Sequence, residues 1–163
     1  MTGIKIEWRA AIWAGLIAGL VFLVLEMTLV ATIGGGSPWG PPRMMAAMVM
    51  GKGVLPPPAT FDMTIVMVAM AVHFFLSVAL AAIFGLLVGM FSRTLPIMLG
   101  LGLVFGLGVY AIDFYLFTGL FPWFAMARNA ITLLSHAVFG IVIGWVYHQL
   151  GSDRHQSTSS EID

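Results

Sequence analysis

Cysteine is absent from the 163 residues, so disulfides, thiolate metal sites and thiol chemistry are excluded at once. Charge is nearly as scarce: Asp, Glu, Lys and Arg make up only 9% of the chain, against roughly a quarter in an ordinary soluble domain. Seven acids balance seven bases, and no run of Lys or Arg could follow a phosphate backbone, which excludes nucleic acid as a partner. There is no HExxH or Glu-x-x-His pattern and no nucleophile with an adjacent base, so nothing in the residues supports an enzyme.

What fills the chain instead is apolar sequence, 60% of it. Residues 10–25, 63–92, 94–112 and 129–152 carry no Asp, Glu, Lys or Arg. A helix needs about 20 apolar residues to cross a bilayer core. These runs therefore predict an all-α integral membrane bundle of four spans, at about 10–32, 63–90, 96–118 and 129–149. The lipid bilayer is the first partner. Residues 1–150 form the membrane domain, and the polar end 151–163, GSDRHQSTSSEID, is expected to be disordered. The first run follows Lys5 and Arg9 as a signal peptide would. It exceeds the ~7–15 apolar residues of a signal h-region, and Glu7 interrupts its basic flank, so it reads as a retained helix.

An even number of spans puts both termini on one side. Lys5, Arg9, Arg93 and Arg154 fall on that side, and Arg43, Lys52 and Arg128 on the other. The excess, slight as it is, points to cytoplasmic termini. Trp8 and Trp13 near one end, with Trp39 and Trp123 at the other, match interfacial aromatic belts.

The chain also echoes itself. Residues 15–26 read GLIAGLVFLVLE and residues 102–113 read GLVFGLGVYAID, each opening on Gly-Leu and closing on an acid. Pro38-Trp39 follows the first and Pro122-Trp123 the second. A helix with an early histidine comes next, His73 or His136. Small residues then recur at four-residue steps: Ser77, Ala81, Gly85 and Gly89 after His73, Gly140 and Gly144 after His136. Residues four apart share a helix face. Gly15, Gly19, Ser77, Gly85, Gly102, Gly106, Gly140 and Gly144 are thus expected to be where helices pack closely. The pattern predicts two tandem hairpins, 10–90 and 96–149, related by an axis along the membrane normal.

With ~1.5 Å of rise per residue, Glu26 lies roughly 9 Å inside the outer end of its span, Asp113 about 8 Å, His136 about 10 Å and His73 about 15 Å. An ionisable side chain in a span costs about 2.5–3.5 kcal/mol on insertion scales, so it turns inward and finds a partner. Glu26, His73, Asp113 and His136 are expected to form one cluster, with Arg128 near its mouth. Three uses of such a cluster compete. It could fix helix register, it could carry protons or ions, or it could hold a divalent metal or haem through the two imidazoles and two carboxylates. The corresponding functions are proton- or ion-linked transport or stress response, an accessory subunit of a larger complex, and a metal- or haem-binding protein. Four helices enclose little volume, so transport calls for a homo-oligomer or larger assembly.

The first connection, GGGSPWGPPRMMAAMVMGKGVLPPPATFD, is bounded by Gly and Pro. Pro41 and Pro42 suit the start of a short interfacial helix. Met44, Met45, Met48 and Met50 raise the question of Cu(I), but read more simply as adaptable apolar filler. Ala46, Ala47 and Val49 look membrane-facing, and the helix is expected to be an insertion that lids the polar centre.

Taken together, HFFLSVALAAIFG and PWFAMARNAITLLSHAVFG resemble the YagU-like inner-membrane proteins, a family of unknown function. The shared features are His73 followed by Ser77, Pro122-Trp123, and Asn129 seven residues before His136. The first half, with SPWGPPRMMAAMVMG and LPPPATFD, resembles short bacterial membrane proteins labelled sodium/proline symporter relatives. The resemblance implies a bacterial inner-membrane protein and no particular reaction.

Overall fold

The structure, a computed structural model, describes residues 7–55, 57–89, 91 and 94–159. Lys5 and Arg93, two of the bases behind the expected orientation, lie outside the described residues. The chain is an all-α bundle. Its helices are α1 (Trp8–Thr32), α2 (Gly40–Met50), α3 (Met63–Val88), α4 (Leu95–Ala111) and α5 (Ala130–Ser159). Four helical stretches are long and apolar enough to span a membrane: Trp8–Thr32, Met63–Val88, Leu95–Gly119 and Ala130–Leu150. They match the predicted spans to within a few residues. This is a four-helix membrane protein.

Local chemistry starts and stops the helices. Asp62 caps α3 by accepting the Ile65 amide at 3.0 Å, and Asn129 caps α5 by accepting the Thr132 amide at 3.1 Å. Pro41 and Pro42 stand in the first turn of α2, where a missing amide costs nothing. Beyond α1, Gly35 takes φ 64°, a left-handed turn that lets the Gly34 and Gly36 amides cap the last carbonyls. α4 continues as a single wide π turn over Ile112–Leu116 and then tightens to a 3₁₀ turn, Phe117–Gly119. The helical backbone of α5 runs on to Ser159, where a disordered end was expected. No proline interrupts it after Pro122.

Packing follows the small residues rather than the large ones. Ala10, Ala11, Ala14, Ala18 and Ala81 are buried, while Leu20, Val24, Phe75, Leu87 and Val104 are exposed. That inversion of the soluble pattern is what lipid demands. Hydrocarbon solvates Leu as well as a protein interior does, so helices gain by close backbone approach instead. Six of the eight predicted packing positions, Gly15, Ser77, Gly102, Gly106, Gly140 and Gly144, lie at such approaches, while Gly19 and Gly85 make room for side chains. A Cβ on Gly102, Gly106, Gly140 or Gly144 would overlap backbone of the facing helix in the α4/α5 pair. One on Gly15 would meet the backbone at Ser77 and Val78, and one on Gly19 the Ser77 side chain. Gly85 receives the ring of Tyr147, whose hydroxyl donates to the Ala81 carbonyl at 2.7 Å.

The helices pack in the order α3, α1, α5, α4. The ring does not close, because α3 and α4 scarcely touch. α2 sits beside this gap. Its buried Ala46 packs with Ile65 and Ala69 of α3, and its buried Ala47 packs with Phe114, Trp123 and Phe124. The expectation that Ala46 and Ala47 face lipid is therefore corrected: their small size suits them to an interface, and Val49 alone of the three is exposed. The second connection also forms a short helix after its Pro-Trp, a 3₁₀ segment over Pro122–Ala127. The Trp123 indole donates to the Met44 carbonyl at 3.1 Å, tying the two connections together.

Candidate functional site

The gap between α3 and α4 is a cleft lined by Phe22, Met45, His73, Ser77, Leu80, Val109, Asp113, His136 and Phe139. Its cavity volume is about 40 Å³. That is space for about three waters. Met45 of α2 lines the cleft, as a lid would. Met44 and Met48 pack on the aromatic cluster around Trp123, and Met50 is exposed, so the methionines do not converge as a copper site requires.

His136 is the best-defined group. Its Nδ1 lies 2.8 Å from the Thr132 carbonyl one turn back. A carbonyl can only accept, so Nδ1 carries hydrogen and donates. Nε2 then faces Asp113 Oδ2 across 3.5 Å. With no proton between them, two lone pairs would oppose each other. One proton on either atom turns the contact into attraction, giving imidazolium with carboxylate or imidazole with carboxylic acid. Either state is neutral overall. His136 is buried, and Asp113 is about one-third exposed, at 34%, toward the cleft. The rings of Phe22, Tyr110 and Phe114 surround the imidazole edge-on.

His73 lies on the opposite wall and does not join this pair. Its Nε2 donates to the Gly19 carbonyl at 2.9 Å, which fixes the ring across the α1/α3 crossing. Phe22 packs against both histidines, its ring centre 5.5 Å from that of His73 and 4.8 Å from that of His136.

Glu26 is 4% exposed and faces inward as expected, but it does not line the cleft. Its Oε1 accepts the Thr132 hydroxyl at 2.8 Å, while Oε2 is buried without a partner. The carboxylate sits against the first turn of α5, where the helix dipole favours negative charge. The predicted single cluster is thus a chain along α5: Glu26 to the Thr132 side chain, Thr132 backbone to His136, His136 to Asp113.

Arg128 is not at the mouth of a four-residue cluster. It is exposed, and its Nε donates to the Phe114 carbonyl, its Nη2 to Thr118 Oγ1 at 2.9 Å. The guanidinium lies 4.7 Å from the Tyr115 ring centre. It serves the end of α4, whose widened π turn leaves a carbonyl to be satisfied. Among the described residues, no three His, Asp or Glu side chains are placed to share a metal ion. The two carboxylates are drawn to different levels of α5, and Phe22 packs against both imidazoles.

Two residues of this arrangement were not singled out from the sequence. Thr132 had only an indirect signal, since Asn129 is a good N-cap residue and its side chain accepts the amide three residues on, whatever the side chain there. Its bond to Glu26, 106 residues away, had none. Phe22 had none either. Comparison of the chain with family models, curated proteins and solved structures gives no match.

Proposed function

We propose that the protein is a proton-linked membrane protein whose working group is the His136–Asp113 pair. One observation carries this reading. With Nδ1–H committed to Thr132, the pair has a single proton site between Nε2 and Oδ2, and Asp113 opens that site to a cleft with room for water. An imidazole nitrogen and a carboxylate oxygen that share one proton can pass it to, and take it from, water in the cleft. The Thr132 carbonyl cannot accept a proton in turn, so exchange is confined to the cleft side. Such a one-sided store suits a carrier or coupled exchanger rather than a continuous proton wire.

The test is reconstitution into liposomes with a trapped pH dye and an imposed pH gradient. Wild-type protein is expected to accelerate dissipation, and Asp113→Asn and His136→Gln are each expected to remove the acceleration with helix content unchanged. Unaltered dissipation in both variants would overturn the reading.

The same proposal includes a bacterial inner-membrane location with cytoplasmic termini, and kinship with the YagU-like family. It also includes descent from a duplicated hairpin. Gly15 lies on the Ser77 carbonyl and Gly102 on the Gly140 carbonyl, positions that correspond in the two halves. An accessory-subunit role draws support from the gap between α3 and α4, which a helix of a larger complex would close. Native electrophoresis of mildly solubilised membranes separates the two, since an accessory subunit migrates with heterologous chains and a homo-oligomer does not.

A further inference from the structure

We infer that the α3/α4 cleft is a binding site for a small primary alkylammonium ion, of the size of methylammonium, exchanged against the proton of the His136–Asp113 pair; this deepens the proton-linked reading and rests on it. Charge and lining carry the inference. Among the described residues, Asp113 is the only acid that lines the cleft and no Lys or Arg lines it, and Asp113 is partly exposed. The rings of Phe22 and Phe139 supply aromatic surface 6.0 Å apart in an edge-on pair, and Met45 closes one side. A carboxylate beside aromatic faces attracts cations and repels anions. The apolar remainder of the lining suits an alkyl group on nitrogen better than a hydrated metal ion.

Electroneutrality sets the stoichiometry. The occupied pair, one proton shared by imidazole and carboxyl, has no net charge. A bound cation beside ionised Asp113 and neutral His136 also sums to zero, provided that the proton leaves. Retaining both charges in a low-dielectric site would be costly. So one proton departs to water for each cation that enters, and no bond other than that to the proton is broken. The other titratable groups that face the pair are His73 beside Phe22, Tyr110 on α4, Glu26 through Thr132, and Arg128 beyond Phe114. Of these only His73 and Tyr110 approach the cleft, and neither supplies a second negative charge in its neutral form.

The experiment is calorimetric titration of the detergent-solubilised protein with methylammonium, and with formate as an anion of similar size. Repetition in buffers of different ionisation enthalpy counts the protons released. The expected result is saturable binding of the cation, one proton released per cation, and no binding of the anion. Asp113→Asn is expected to weaken cation binding by about tenfold or more. Leu80→Trp, which fills the cleft without touching the carboxyl, is expected to abolish it and decides the matter if the first variant misfolds. Equal binding of the anion, or cation binding unchanged in either variant, would overturn the inference. Because no membrane gradient is involved, the outcomes separate. Cation binding without proton release would sink the shared-proton reading and the exchange while leaving an ammonium site. Proton flux in liposomes with no cation binding would leave the first reading and sink this one.

Discussion

The two hairpins cross on small residues at matching places, yet they are held together differently. In α4/α5 the approach is backbone to backbone, with glycine on both helices. In α1/α3 one partner is Ser77, and the His73 ring donates across the crossing to Gly19. The histidines diverge accordingly. His73 is spent on structure, whereas His136 satisfies one nitrogen within its own helix and turns the other toward Asp113. The acids diverge as well. Glu26 reaches out of its hairpin to Thr132 of α5, while Asp113 stays within its own and meets His136. Thus a shared helical frame supports two chemistries: α1 is locked to α5, and α4 is left apart from α3. The locked side gives the bundle its register, and the parted side gives it a cleft.

The largest effect should come from breaking the tighter crossing. Gly140→Val places side-chain carbons against the carbonyl of Gly102 and the backbone of Gly106. Backbone cannot rotate away, so the cost should exceed about 3 kcal/mol, at the top of the overpacking range. Loss of helix packing at far lower SDS fraction in mixed micelles, followed by circular dichroism, is the measurement. A variant as stable as wild type would mean that α4 and α5 are not in contact there.

Next in size is the link between the halves. Thr132→Val leaves Glu26 buried with neither oxygen bonded, at a cost of about 1–3 kcal/mol. Adding Glu26→Leu should recover most of that loss, because replacing both partners removes the buried polar group altogether. The same micelle titration reports both, and additive losses in the double variant would show that the two residues do not pair.

Smaller still is Gly19→Ala in the looser hairpin. Its Cβ would meet the Ser77 hydroxyl at 2.8 Å, a contact that a rotation of the serine can relieve. About 1 kcal/mol is expected, clearly less than for Gly140→Val. Equal costs at the two sites would erase the distinction between the hairpins. The least effect should come from Arg128→Gln, which removes hydrogen bonds at the end of α4 from an exposed site and should cost roughly 0.5–1.5 kcal/mol by the same titration. A loss as large as that for Thr132→Val would instead place Arg128 in the polar centre after all.

Much of this architecture is legible in the residues alone. Bilayer thickness converts uncharged length directly into spans, so all four were found to within a few residues. Small residues at four-residue steps can serve only one purpose between helices in lipid, and Gly15, Gly102, Gly106, Gly140 and Gly144 lie at close backbone approaches. The inward turn of Glu26 follows from the same insertion cost. Partner choice does not follow from it. Depth places a residue along a helix but leaves open its neighbour around the bundle, and that depends on which helix pairs close. The order α3, α1, α5, α4 sets Glu26 against Thr132, packs Phe22 against both histidines and leaves only Asp113 facing His136. Ala46 and Ala47 were misplaced for a related reason, since a short helix of small apolar residues suits lipid and an interface equally until its neighbours are known. Composition and periodicity act along the chain, where lipid is the common reference. The cleft and the His136–Asp113 contact arise across the chain, from approaches among α1, α3, α4 and α5 that only the assembled bundle brings within reach.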